Sequence, residues 1–125
     1  MKLRIKGNSI RFRLTKSEVD YFEKERYLEE KTEFGNTVFS YVIANTKQGN
    51  ELSAEFIDNK ITLLIPEQLS NDWIKTNRVG LESEMEIGGG KKLFLLIEKD
   101  FKCLDNTMED QSDNYPNPLA GKVGS

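Results

Sequence analysis

There is no histidine in this 125-residue chain, and Cys103 is its one cysteine. Without histidine, the commonest general base, the usual metal ligand and the switch that titrates near neutral pH are all absent. A lone cysteine excludes an internal disulfide, which fits a reducing cytoplasm. It also lacks the neighbouring base that a thiolate nucleophile needs, so Cys103 reads as a small hydrophobe. No apolar run approaches the length of a membrane span or a signal peptide. The net charge of -3 excludes a generic nucleic-acid binder, so basic residues matter only where they cluster.

What the chain does have is alternation interrupted by turns. Gly7-Asn8, Gly35-Asn36, Asp58-Asn59 and Gly88-Gly89-Gly90 each sit between segments that alternate apolar and polar residues. That pattern predicts four β-hairpins. In the first, Ile5 meets Ile10, Leu3 meets Phe12 and Met1 meets Leu14 on one face. Leu28, Thr32 and Phe34 face Ile43, Phe39 and Thr37 in the second. Ala54 and Phe56 line up with Leu63 and Ile61 in the third, and Leu81 and Met85 with Ile97 and Leu93 in the fourth.

Two helices separate the hairpins. Thr15 and Glu18 form a capping box for a helix that runs to about Arg26. Pro66 sits at the first position of the second helix, with Leu69 and Trp73 one turn apart on its inner side.

The order strand, strand, helix, strand, strand therefore occurs twice. A shift of 51 carries Phe12 onto Leu63, 53 carries Leu28 onto Leu81, and 54 carries Phe39 onto Leu93. The expected fold is β-dominated α+β: a duplicated unit (residues 1–46 and 51–98) forming a closed or nearly closed, barrel-like antiparallel sheet of about eight strands with two helices. One domain spans residues 1–104. The last strand of each unit is apolar on both faces, Val38, Val42 and Ala44 backing Phe39 and Tyr41, and Phe94 and Leu96 backing Leu93 and Leu95; these strands should be the most deeply buried, or covered by the helices or another subunit. Phe12, Leu63, Trp73 and Leu95 are the expected core. Residues 105–125 read as a polar acidic tail in which Tyr115 to Leu119 could dock as an extended clip.

The second face of the first hairpin carries the candidate site. Lys2, Arg4, Lys6, Arg11 and Arg13 form a basic plate, with Arg4 opposite Arg11 and Lys2 opposite Arg13. Like charges directly opposed across a ribbon are destabilising, so something should compensate them. The matching positions of the third hairpin, Ser53, Glu55, Ile57, Lys60, Thr62 and Leu64, carry no such plate, so the architecture does not require it. One compensation is a surface ladder of ion pairs to Glu29, Glu33, Glu82, Glu84 and Glu86. The other is an external anion, since arginine forks on one plane suit planar oxyanions.

The strings LRIKGNSIRFRLTKSEV (3–19), EKDFKCL (98–104) and YPNPLA (115–120) resemble a family of short bacterial proteins of unknown function. The resemblance implies a cytoplasmic bacterial protein and carries over no activity. The strings Leu3-Arg4-Ile5-Lys6 and Leu14-Thr15-Lys16, with Glu82, Glu84 and Glu86, are similar in kind to the triphosphate tunnel enzymes. That likeness implies an eight-stranded antiparallel tunnel with inward-facing charges. This chain departs from it by opening on a basic strand and by an interior of Leu, Ile and Phe.

The residues favour a small binding or accessory module over an enzyme, with an anionic ligand or acidic protein surface as partner, no membrane, no cofactor and no metal site. A divalent-cation-dependent triphosphate hydrolase and a structural subunit of a larger assembly are the alternatives, and the oligomeric state is left open.

Overall fold

The computed structural model describes residues 1–100. Cys103, the tail from residue 105 and the Tyr115–Leu119 segment lie outside them. The element order is β1 (Lys2–Lys6), β2 (Ser9–Leu14), α1 (Lys16–Glu25), β3 (Tyr27–Glu33), β4 (Val38–Thr46), β5 (Ser53–Ile57), β6 (Lys60–Pro66), α2 (Glu67–Lys75), β7 (Gly80–Gly88) and β8 (Lys91–Lys99).

All four hairpins form in the register that their turns dictate. Ile5 pairs with Ile10 and Arg4 with Arg11, Leu28 with Ile43, Phe56 with Ile61, and Leu81 with Ile97. Turn chemistry explains this: Gly7, Asp58, Asn59 and Gly88 to Gly90 all have positive φ, the conformation that tight hairpin turns demand. A β-bulge between Glu86 and Gly88 adds one residue to the fourth hairpin.

The hairpins do not join into one antiparallel sheet. The described residues form two four-stranded sheets, ordered β1-β2-β8-β7 and β3-β4-β6-β5, and no closed barrel. At the centre of each, the pairing is parallel: Phe12 lies beside Ile97 on β2 and β8, and Leu63 beside Ile43 on β6 and β4. The expected all-antiparallel, barrel-like closure is therefore corrected to two mixed sheets. The helices cause the difference. Each carries the chain from one sheet to the other, so the hairpin after a helix pairs with one from the opposite half of the chain.

The inner faces pack on one another. Phe12, Leu14, Phe22, Ile43, Leu63, Ile65, Trp73, Leu95 and Ile97 are essentially inaccessible and belong to one core. This filled interior differs from the charged tunnel that the tunnel-enzyme likeness implies. Val19 and Phe22 bury the inner side of α1, whose N-terminus has the capping box of Thr15 and Glu18. Pro66 ends β6 and is the N-cap of α2, one residue earlier than the helical position its φ suggests. Where the helices meet β4, the buried Ser70 of α2 joins the half-buried Asn45 and Arg26 in a polar cluster, Asn45 donating to Ser70 at 2.8 Å and Arg26 to Asn45 at 3.1 Å. That satisfies groups whose burial would otherwise be costly.

The hairpin-tip end is less well closed. Ile5, Phe39, Phe56, Ile61 and Met85 line an apolar opening of about 440 Å³ between the sheets, and Ile5 and Phe56 are largely exposed. β8, expected to be covered, leaves Phe94 on its outer face 47% exposed.

Candidate functional site: a basic face on the first sheet

Because Leu3, Ile10, Phe12 and Leu14 turn into the core, alternation sends Lys2, Arg4, Lys6, Arg11 and Arg13 to the outer face of the β1-β2-β8-β7 sheet. The pairing sets them in rows. Arg4, Arg11, Leu96 and Glu82 form one row across the four strands; Lys6, Ser9, Phe94 and Glu84 form the next. The third row is Lys2, Arg13, Glu98 and Gly80.

The neutralising residues are not those expected. Arg13 Nε donates to Glu98 Oε1 at 3.1 Å, and Arg11 Nε lies 3.7 Å from the same oxygen. Lys2 Nζ is 3.9 Å from Asp100. Among the described residues, Arg4 and Lys6 have no ion pair. Glu29 and Glu33 lie on the other sheet, where Glu29 accepts from the Tyr27 hydroxyl and pairs with Lys60 at 3.6 Å. Glu82, Glu84 and Glu86 are on the outer face of β7, two strands or about 10 Å from β2. There Glu84 pairs with Lys92 at 3.2 Å. Thus two carboxylates serve three of the five cations.

Sequence reasoning missed Glu98 and Asp100, which reach the plate only because β8 lies beside β2. An alternating strand in the sequence shows its faces but not its neighbour. It also missed the N-terminus. The Met1 amine donates to Glu18 and to Glu30, and Tyr41 donates from its hydroxyl to the Met1 carbonyl at 3.2 Å. Burial alone would lower the pKa of that amine, but the hydrogen bonds and charges of Glu18 and Glu30 outweigh it, and the net shift is upward. Burial likewise opposes ionisation of Glu18, yet the amine and the Thr15 backbone pull its pKa below the ordinary range. Burial, then the charges of Glu30 and Glu18, push the Tyr41 phenol up. These groups anchor β1 at one end of an open cleft of about 460 Å³ lined by Met1, Lys2, Leu3, Arg4, Arg11, Arg13 and Tyr41.

A second hollow of about 330 Å³ lies on the same outer face, over β8, lined by Ser9, Glu82, Glu84, Phe94 and Leu96 among others. Among the described residues no cluster of three or more carboxylates or thiols is set to hold a metal ion, and no helix is long and apolar enough to cross a membrane.

The profile of a family of unknown function, DUF7009, matches residues 1–119. The chain belongs to this family. No curated protein and no solved structure matches it. Membership covers both the described domain and most of the segment after it, and brings no activity with it.

Proposed function

We propose that this DUF7009 protein is a small binding module whose outer β1–β2 face recognises an anionic group. What carries the reading is the shortage of counter-charge: Arg4 and Lys6 are without ionic partners among the described residues, while Arg11 and Arg13 share one carboxylate. Opposed like charges persist on a ribbon at a cost unless a function or a partner favours them. Arg4 and Arg11 are direct cross-strand partners on one face, an arrangement that lets two guanidinium forks converge on one oxyanion. We also infer that the chain is a tandem duplication, since both halves have the same element order. On that view the plate is a specialisation of one copy. The single cysteine supports placement in a reducing cytoplasm.

The hydrolase reading has weaker support, because the β7 glutamates and the basic plate stand apart on one open face with Phe94 and Leu96 between them. Titrating the protein with inorganic triphosphate and with a short nucleic acid, at low and high salt, tests the binding reading. Binding that weakens steeply with salt and is lost in Arg4→Gln/Arg11→Gln is expected. No binding of any anion at low salt, and no acidic protein partner, overturns it. Phosphate release from triphosphate with magnesium would favour the hydrolase instead.

A further inference from the structure

We propose that the anionic partner of the basic face is the acidic strand β7 of a second copy of this chain, so that two molecules pack outer face to outer face. The inference rests on the anion-binding reading of the plate and names its occupant.

The outer face is divided by charge. Its β1–β2 half carries five cations and its β7 edge carries Glu82, Glu84 and Glu86, all exposed. Between them β8 presents Phe94 and Leu96, an apolar strip flanked by Lys92 and Glu98, on a face that neither described helix covers. Neither half is fully neutralised among the described residues. Arg4 and Lys6 have no ion pair among the described residues, and neither do Glu82 and Glu86.

Matching levels make this face self-complementary. Sheets that pack face to face keep their strands within about 30° of each other. A two-fold axis parallel to the strands, midway between β2 and β8, lays β7 of one copy over β1 of the other and preserves position along the strands. Arg4 then faces Glu82 of the second copy, and Lys6 faces Glu84, because each pair already shares a row. Leu96 and Phe94 cover Arg11 and Ser9 and exclude water from the centre. A two-fold perpendicular to the strands would set cations on cations. The geometry therefore selects one arrangement.

The other sheet is the internal control. Across its outer face the row Glu55, Thr62, Val42, Glu29 has acid at both edges, and the row Ile57, Lys60, Ser40, Lys31 carries no acid. The same operation there would oppose Glu55 to Glu29. Under that operation opposite charges meet on the first sheet and like charges on the second.

A face four strands wide and three rows deep is small beside the roughly 1,000 Å² or more of a stable interface. The dimer is accordingly weak and depends on its charges. Exposed pairs are screened when the Debye length falls to about 3 Å at 1 M salt.

Charge-reversal complementation tests it. One variant carries Glu82→Lys and Glu84→Lys; the other carries Arg4→Glu and Lys6→Glu. Sedimentation velocity at micromolar to sub-millimolar protein and low salt should show native protein associating, and molar salt should dissociate it. Each variant alone should be monomeric, since its two contact sites become repulsive. An equimolar mixture should regain the dimer, because both sites again join opposite charges; that recovery also shows that both variants fold. Native protein that stays monomeric at low salt, variants that still dimerise, or a mixture that stays monomeric each overturns the proposal. Triphosphate titration of the native protein separates the two readings: a monomer that binds triphosphate keeps the anion site and loses the second copy, whereas a monomer that binds nothing loses both.

Discussion

The β1–β2 and β5–β6 hairpins hold equivalent places, each the outer pair of its sheet and each parallel at its inner strand to a strand from the other half of the chain. Their registers correspond: Ile5 with Ile10 and Leu3 with Phe12 in one, Phe56 with Ile61 and Ala54 with Leu63 in the other. Even the residue ahead of the first strand is used alike, with Met1 and Leu52 both buried in the core. Their outer faces share nothing comparable. Where the β1–β2 hairpin has its five cations, the β5–β6 hairpin has one glutamate and four neutral residues, and its Lys60 matches Ser9. Packing constrains the inner positions of both, because each must fill the same interior. The outer positions are free of that constraint, so a charge pattern there reflects something besides the fold.

The largest effects should come from the shared inner face, and should be alike in the two hairpins. Phe12→Ala and Leu63→Ala each remove a fully buried side chain, and each should cost about 2–5 kcal/mol in chemical denaturation. A large loss at one with none at the other would break the equivalence of the hairpins.

Next in size is the contact that only the first hairpin has, the Met1 amine between Glu18 and Glu30. Converting the amine to an amide with a short tag should cost about 1 kcal/mol, given partial exposure of the carboxylates. Its pH dependence has a definite sign. The amine's pKa is raised, so its contribution is complete below the ordinary value of about 8 and is lost as pH rises past it. The pKa of Glu18 is lowered, so its share is complete above about 4.3 and is lost as pH falls. The stability difference between free-amine and tagged protein should therefore be largest between those limits and shrink on both sides. A difference independent of pH would mean that the ion pair contributes nothing.

Smallest are changes on the outer face. Arg4→Gln/Arg11→Gln should shift stability by less than about 1 kcal/mol, toward greater stability at low salt, since it relieves a like-charge pair. Glu98→Gln should act oppositely, destabilising by up to about 1 kcal/mol, because it strips Arg11 and Arg13 of their shared counter-charge. If both variants moved stability in the same direction, repulsion would not be what distinguishes the plate from its counterpart.

Much of this was legible in the amino-acid order. Period-two alternation and positive-φ turn residues act over a few positions, so hairpin registers, the burial of Phe12, Leu63, Trp73 and Leu95, and the pairing of Arg4 with Arg11 and Lys2 with Arg13 could all be read locally. The Thr15–Glu18 capping box is local too, and it forms. Which hairpin lies beside which was not legible. The parallel contacts of Ser9–Leu14 with Phe94–Lys99 join residues some 85 positions apart. No alternation or turn signal specifies such a pairing; it is decided by where the two helices carry the chain. With that pairing came everything that defines the face as a surface. It put Glu98 beside Arg11 and Arg13, and it ran the apolar strip of Phe94 and Leu96 between cations and glutamates that belong to opposite ends of the chain. Local chemistry thus determined what each strand shows on either side, while long-range packing, which buries two inner faces at once, decided what stands next to what.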